Sequence, residues 1–512
     1  MENEFEYSKI KKITFKKVIF VDNFEIYTFR KILQYLAMEA TKISRQAVII
    51  IHGIGEQQPM DTLREFVKEI APEIENSDKQ KSFNKPDIFS GLFELRRMTA
   101  SRHKHTFKTD YFEYYWAHNM QDNKISDVFW WTVSLIFRPF YTPKKIFSVK
   151  EIPSRIRFVF YGLWLILLLF VVLIGLIIYD YYASGKLFEH YLTWFSGYFV
   201  KIIIGLILSG FGFVLSNYLG DVARYMTPKA HNIGNRETIR KNAFQLLDRL
   251  HTLRKDNKNV YDRIVIVGHS LGSVIAYDLI NLYWNHIYEN TNKIDPNLIR
   301  ENEKIALKLT KIYENLPPKP SLEARENYEK ALKLFQNAQF ELWKSQYQNE
   351  CSWRISDLIT LGSPLANANL FLAKNNDTFE EKKIERELPT CPPVFEVFDT
   401  LDENKKKVKT EHCSFPHKPN QKADLPLTLH HAAAFSMTRW VNIYFKNDFI
   451  GGKINCLGGG IENIPALIPE KKWLGFFPFR GRIPFLSHIY YWNKDEQKSI
   501  GLIREKLRLM FR

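Results

Sequence analysis

Short, almost wholly apolar runs recur along the chain: Ala47–Ile51, Ile264–Val267, Leu358–Leu361 within the stretch that begins at Asp357, and Trp440–Phe445. Runs of this length bounded by glycine-containing turns predict buried β-strands. Asp110–Trp116 alternates apolar and polar positions and predicts a further early strand. Ser273–Ile280, directly behind one of the apolar runs, has the character of a helix. From about Asn281 to Glu350 the chain is rich in Lys, Glu, Asn and Gln, and Pro317, Pro318 and Pro320 divide it into two helical stretches. In the second, Tyr328, Ala331, Leu332, Phe335, Ala338 and Leu342 recur at helical spacing, so one face is apolar. That insertion is expected to pack on the domain as a surface hairpin or to form a lid over a site.

Two segments exceed what a soluble core needs. Phe158 to Tyr179 is 22 residues without a charge, and Ile202 to Gly220 is another 19, with Trp194, Phe195, Tyr198 and Phe199 just ahead of it. At the helical rise, a stretch of roughly 20 apolar residues spans a hydrocarbon core of about 30 Å. A transmembrane hairpin is therefore expected, with helices at about 158–179 and 198–220. Arg138, Lys144, Lys145, Lys150, Arg155 and Arg157 precede it and Arg224, Lys229, Arg236 and Arg240 follow it, whereas Lys186 is the one base in the connection Asp180–Val200. Positive flanks stay on the cytoplasmic side, which predicts that both ends of the hairpin, and the domain that carries it, face the cytoplasm. Residues 1 to 20 mix charges with aromatics and contain no apolar stretch of the signal-peptide kind.

The net charge of +16 over 512 residues would by itself suit nucleic acid or an anionic surface. Because the bases crowd the flanks of the hairpin and no nucleic-acid-binding motif is visible, the expected partner is the lipid bilayer, with no nucleic acid. Cys351, Cys391, Cys413 and Cys456 have no C-x-x-C spacing and predict reduced thiols. Gly451-Gly452-Lys453 and Gly458-Gly459-Gly460 do not have the arrangement of a phosphate-binding loop. No metal and no cofactor are expected.

The candidate chemistry lies at Gly268-His269-Ser270-Leu271-Gly272, between the run Ile264–Val267 and the helix-like Ser273–Ile280. Strand, tight turn and helix are the setting of a nucleophile elbow, where flanking glycines let the two backbones pass and the serine Oγ projects at the helix N-terminus. Far upstream, Ala47–Ile51 ends in His52-Gly53-Ile54-Gly55. With these two motifs in this order the chain resembles the α/β-hydrolase superfamily, and within it the lipase and esterase branch. The resemblance implies an α/β fold, a mostly parallel sheet flanked by helices, here with the transmembrane hairpin and the helical insertion added. It also implies an oxyanion hole formed by the N–H of Leu271 and that of Ile54 or Gly55.

A serine needs a base and a carboxylate to orient that base. In the superfamily both follow the nucleophile, acid before histidine. Asp448, just past the run ending at Phe445 and followed by Gly451 and Gly452, is the matching acid, and His488 is the one histidine beyond it. His430 and His431, with Asp424, are the rival assignment. The expected organisation is an N-terminal extension (1–46), a first hydrolase segment (47–150), the hairpin (151–222), the elbow segment (223–280), the helical insertion (281–350) and a C-terminal segment (351–512). The expected activity is that of a membrane-anchored serine hydrolase cleaving lipid-like acyl esters. An acyltransferase with the same triad, or a non-catalytic membrane scaffold, are the alternatives.

Overall fold

The computed structural model describes residues 45–53, 58–71, 82–87, 96–100, 108–120, 225–226, 230–349, 352–401, 407–416, 426–448, 450–466, 488, 491–492 and 497–507, with six single positions between 168 and 182. The expected extension up to residue 44, Ile54, Gly55 and Asp424 lie outside the described residues, as do all but five positions of the first predicted span and the whole of the second.

Four strands come first: β1 (Arg45–Ile51), β2 (Ser82–Pro86), β3 (Arg96–Ala100) and β4 (Lys108–Tyr114). A small hairpin, β5 (Arg254–Lys255) with β6 (Lys258–Asn259), leads into β7 (Arg263–His269), and β8 (Ile355–Leu361) follows the helical insertion. Two antiparallel pairs, β9 (Glu396–Leu401) with β10 (Lys407–His412) and β11 (Ser414–Pro416) with β12 (Leu427–Leu429), stand before β13 (Arg439–Phe445) and β14 (Glu462–Ala466). Eight of these form one sheet in the order β14-β13-β8-β7-β1-β4-β3-β2. From β14 to β4 all neighbours are parallel, and β3 and β2 complete the edge by antiparallel pairing. The expected strands at 47–51, 264–267, 357–361 and 440–445 are all present in it, and the one expected at 110–116 is present but ends at Tyr114.

Parallel strands buried on both faces read as continuous apolar runs, and the burial here follows that rule. Val48, Ile50, Val265, Val267, Ile359, Leu361, Ile443 and Phe445 face helix α1 (Asp61–Ile70), whose Leu63, Phe66, Val67 and Ile70 join the same core. The late helix, Gln497–Lys506, adds Ile500 and Ile503 to it. Alternate positions point the other way, and Trp440 there meets Tyr277 of the helix that follows β7. That opposite face is covered by α2 (Ala230–Thr252) and α3 (Leu271–Ile287). The elbow helix runs beyond the expected boundary at residue 280, because Tyr283, Trp284 and Ile287 continue its buried stripe. The insertion therefore starts later than its composition suggested.

Both predicted helices of the insertion form, as α4 (Pro296–Glu314), capped by Asp295 through Asn297 N–H, and α5 (Leu322–Asn349). The apolar face of α5 is buried at Ala331, Leu332, Phe335 and Leu342. Its Gln339 donates to Phe435 O at 2.6 Å and Thr438 O at 3.0 Å, and Tyr328 Oη donates to Gly459 O at 2.9 Å. These are the contacts of an element packed against the β13 and β14 side of the domain, which favours the packing role over the lid.

The starts of the central strands are tied by a buried polar clamp. Arg263 on β7, fully buried, donates to Gln46 Oε1 on β1 (2.8 Å), Ser356 Oγ on β8 (2.6 Å) and Asp357 Oδ2 (2.7 Å), while Arg439 on β13 reaches Asp357 Oδ1 at 2.7 Å. The clamp explains why a carboxylate heads the apolar run at 357. It also leaves the opposite, C-terminal strand ends free for loops that carry chemistry. The chain changes direction there, since the elements after β1 go to β4 on one side and to β7 on the other. In open α/β sheets such a switch point is where ligands bind.

Among the described residues no helix is long and apolar enough to cross a membrane. The described positions of the first predicted span, Leu168, Val171, Val172, Gly175 and Tyr179, are helical and exposed, and so is Tyr182.

Candidate active site

Ser270 joins β7 to α3 with φ 51° and ψ −128°, a backbone conformation that costs a non-glycine residue on the order of 1–3 kcal/mol and persists only where its surroundings enforce it. Enforcement is visible. Ser270 N–H donates to Leu361 O at the end of β8 (3.0 Å), and its own carbonyl accepts from Ser273 N–H (3.0 Å) and Ser273 Oγ (2.5 Å). Leu365 N–H donates to Ser363 Oγ (3.1 Å), which meets Ser273 Oγ at 2.6 Å. A β-carbon on Gly272 would stand 2.2 Å from Ile51 O, and one on Gly268 2.5 Å from Ser273 Cα. These close approaches are the reason the turn needs glycine at both positions.

His52 and Gly53 follow β1 and lie against the same turn. A β-carbon at Gly53 would be 2.8 Å from Ser270 Cβ. His52 Nε2 accepts from Trp116 N–H (3.4 Å), so its Nδ1–H donates to Gly53 O (2.8 Å), and the ring stacks on the Trp116 indole. Trp116 Nε1–H also donates to His52 O at 3.0 Å. Both ring nitrogens are thus used in shaping the loop, and His52 is a scaffold for it. The expected donor Leu271 N–H belongs to the first turn of α3, where backbone N–H groups have no intrahelical acceptor and point outward. That leaves it available to an oxyanion.

Asp448 and His488, forty residues apart in the chain, are brought together in the structure. His488 Nδ1–H donates to both oxygens of Asp448, at 3.0 and 2.9 Å. Ile450 N–H donates to Asp448 Oδ1 at 2.9 Å and Tyr491 Oη to Oδ2 at 2.7 Å. Burial pushes the Asp448 carboxyl up, but the hydrogen bond and charge of His488, together with the Gly451 N–H and the Tyr491 hydroxyl, outweigh it and hold the group below the ordinary carboxylate value. The anion that a triad needs is therefore the stable form.

The pair stands beside the elbow. Leu361, which accepts from Ser270 N–H, is followed by Gly362 with φ 57°, and a β-carbon on Gly362 would lie 2.8 Å from Asp448 Oδ2 and 3.0 Å from His488 Nδ1. The other elbow histidine, His269, donates from Nε2 to His488 O at 2.8 Å, with the two rings 5.0 Å apart. His488 Nε2, the nitrogen a base would use, is buried and makes no hydrogen bond to any described residue. Ser270 and the Asp448–His488 pair thus lie together at the C-terminal strand ends.

The rival histidines stand elsewhere. His430 Nε2–H donates to Val394 O (3.0 Å) and its Nδ1 accepts from Ala432 N–H (3.1 Å), so neither nitrogen is free for catalysis. His431 is exposed on the other side of that turn. Tyr491, Ser273, Ser363 and Trp116 were not foreseen from the sequence. An aromatic run after His488 and a Gly-Ser-Pro turn after β8 were the signals available for two of them. Among the described residues no group of three His, Cys, Asp or Glu could hold a metal ion, and Cys391, Cys413 and Cys456 are free thiols.

Burial has a consequence for stability. It lowers the pKa of His52 and His430 to about 4 and that of His251 and His269 to about 3, so these imidazoles take up protons on unfolding below pH 6.5. Their contribution is complete above pH 6.5 and is lost as the pH falls toward 4. Glu113, which accepts from Met60 N–H at 2.6 Å, behaves oppositely: burial raises it to about 7, and its contribution is lost as the pH rises through that value. Four histidines outweigh one carboxyl. Near pH 5 unfolding stability should fall on the order of 4 kcal/mol per pH unit of acidification. Denaturant titrations at pH 5 and pH 7 measure this, and an unfolding midpoint that is equal or higher at pH 5 contradicts it.

No protein-family model matches the chain, and no curated protein and no solved structure is matched by it.

Proposed function

We propose that the chain is a serine hydrolase of the α/β-hydrolase type that cleaves acyl esters. The observation that carries this reading is the convergence of a left-handed Ser270, set in a strand-to-helix turn, with a buried Asp448–His488 pair. Ser270 Oγ attacks the acyl carbonyl as His488 Nε2 takes its proton, and the C–O bond to the alcohol breaks as that proton passes to the leaving oxygen. Water, deprotonated by the same nitrogen, then releases the acid and restores Ser270. Asp448 fixes the Nδ1–H tautomer and stabilises the imidazolium. Leu271 N–H, with Ile54 or Gly55 N–H, receives the oxyanion.

The uncharged stretches 158–179 and 202–220 support a transmembrane hairpin, and the exposure of the helical apolar residues Leu168, Val171, Val172 and Tyr179 is what lipid contact requires. With the domain on the cytoplasmic side of such a hairpin, a lipid-like ester is the substrate delivered most directly. Transfer of the acyl group to an acceptor other than water uses the same residues. The juxtaposition of Ser270 with the Asp448–His488 pair supports catalysis over a scaffold role.

Purified protein in detergent, given p-nitrophenyl esters of graded acyl length, is expected to release nitrophenol with a preference for longer chains. A folded protein that turns over none of them, with or without an added alcohol acceptor, contradicts the reading.

A further inference from the structure

We propose that Tyr491 is a positioning residue of this site, whose hydroxyl fixes the orientation of Asp448 and thereby sets the proton affinity of the Asp448–His488 pair. The inference rests on the hydrolase reading above and deepens it. Tyr491 is fully buried, and its Oη makes two hydrogen bonds, one with Asp448 Oδ2 at 2.7 Å and one with Phe445 N–H at 3.1 Å. Phe445 is the last residue of β13, and a backbone N–H can only donate. The phenol must therefore accept from Phe445, and its single hydrogen is directed at Asp448. Burial and the neighbouring Asp448 charge raise the phenol well above its ordinary pKa, so it stays a donor at any pH the protein meets.

The direction of this bond decides what it does. Asp448 Oδ1 is held by Ile450 N–H at 2.9 Å and Oδ2 by Tyr491, and His488 Nδ1–H lies across both oxygens. Two donors on opposite sides fix the carboxylate plane, and the third site is left for the imidazole. Tyr491 also draws charge away from Oδ2, so the carboxylate stabilises an imidazolium less than it would alone. Gly362 permits the arrangement, since a β-carbon there would lie 2.6 Å from Tyr491 Cε2. The tyrosine ring packs on Phe445 at 4.4 Å and against His269 at 5.7 Å, and these contacts survive removal of the hydroxyl alone.

Tyr491→Phe separates the two roles of the residue. Its thermal midpoint should stay near that of the parent, because the ring remains. kcat for an ester should fall about 10- to 100-fold with KM nearly unchanged, as expected when a catalytic group loses its alignment. The acid limb of the kcat/KM profile should move to higher pH by up to about one unit, as an imidazole does when its carboxylate partner loses a competing donor. A folded Tyr491→Phe protein with parental kcat and an unmoved acid limb overturns the proposal. A readout independent of turnover is the downfield proton resonance of His488 Nδ1–H, assigned by its loss in His488→Ala. It should shift in Tyr491→Phe, and an unshifted resonance overturns the proposal even if the parent protein hydrolyses no ester. Absence of turnover in the parent with a shifted resonance would instead count against the hydrolase reading alone.

Discussion

Ser270→Ala is expected to abolish ester turnover, with kcat falling by about 10⁶, the loss typical of removing the nucleophile of a triad. The magnitude follows from the loss of the whole covalent route, since no other described hydroxyl shares the position of Ser270 at the elbow. Ser273 and Ser363 are close, but their hydroxyls are engaged with the Ser270 carbonyl and with each other. Binding of substrate should change little. The fold should also hold, because the strained turn is fixed by backbone bonds at Ser270 N and O that alanine keeps. Kinetics of the alanine variant measured beside its denaturation curve test this, and turnover near the parental rate would remove Ser270 from the mechanism.

The second large effect is expected at the acid and base. In Asp448→Asn, one oxygen becomes an NH2 group, and either placement sets a donor against a donor: Tyr491 Oη and His488 on one side, Ile450 N–H and His488 on the other. The imidazole then favours the tautomer with its proton on Nε2, which cannot accept one from Ser270. A fall in kcat of about 10⁴ is expected, as found for the same change in serine proteases. His488→Ala should be similarly damaging, and the double variant little worse than either single one, because members of a triad act as a unit. By contrast His430→Gln should leave kcat nearly intact, since that ring serves Val394 O and Ala432 N–H. Loss of activity in His430→Gln with retention in His488→Ala would reverse the assignment.

The parts of the fold legible in the sequence are those where burial is complete on both faces. β1, β7, β8 and β13 carry almost wholly apolar runs because helices cover them on either side. β2, β3 and β14, which read SFNKP, RRMTA and ENIPA, lie at or near the sheet edges, and neither alternation nor continuity marks them. The elbow was legible for a steric reason. Gly272 has Ile51 O where a side chain would go, so the motif records a backbone crossing and not merely a turn. Asp448 and His488 followed from chain order, whereas their supports did not. Ser273 and Ser363 are ninety residues apart, and Trp116 lies sixty-four from His52, so each pair exists only after the sheet has formed. Single hydroxyls and indoles have no periodicity to announce them. The end of α3 was misplaced because the charged and amide-rich composition begins at Asn281, while Tyr283, Trp284 and Ile287 still face the core.

Covalent labelling reads the central claim without depending on any choice of substrate. The purified chain, treated with a fluorophosphonate at neutral pH and digested, should yield one modified peptide, with the phosphonyl group on Ser270 and none in the Ser270→Ala protein. A folded chain that takes no label, or takes it equally with alanine at position 270, contradicts the assignment of Ser270 as an activated nucleophile.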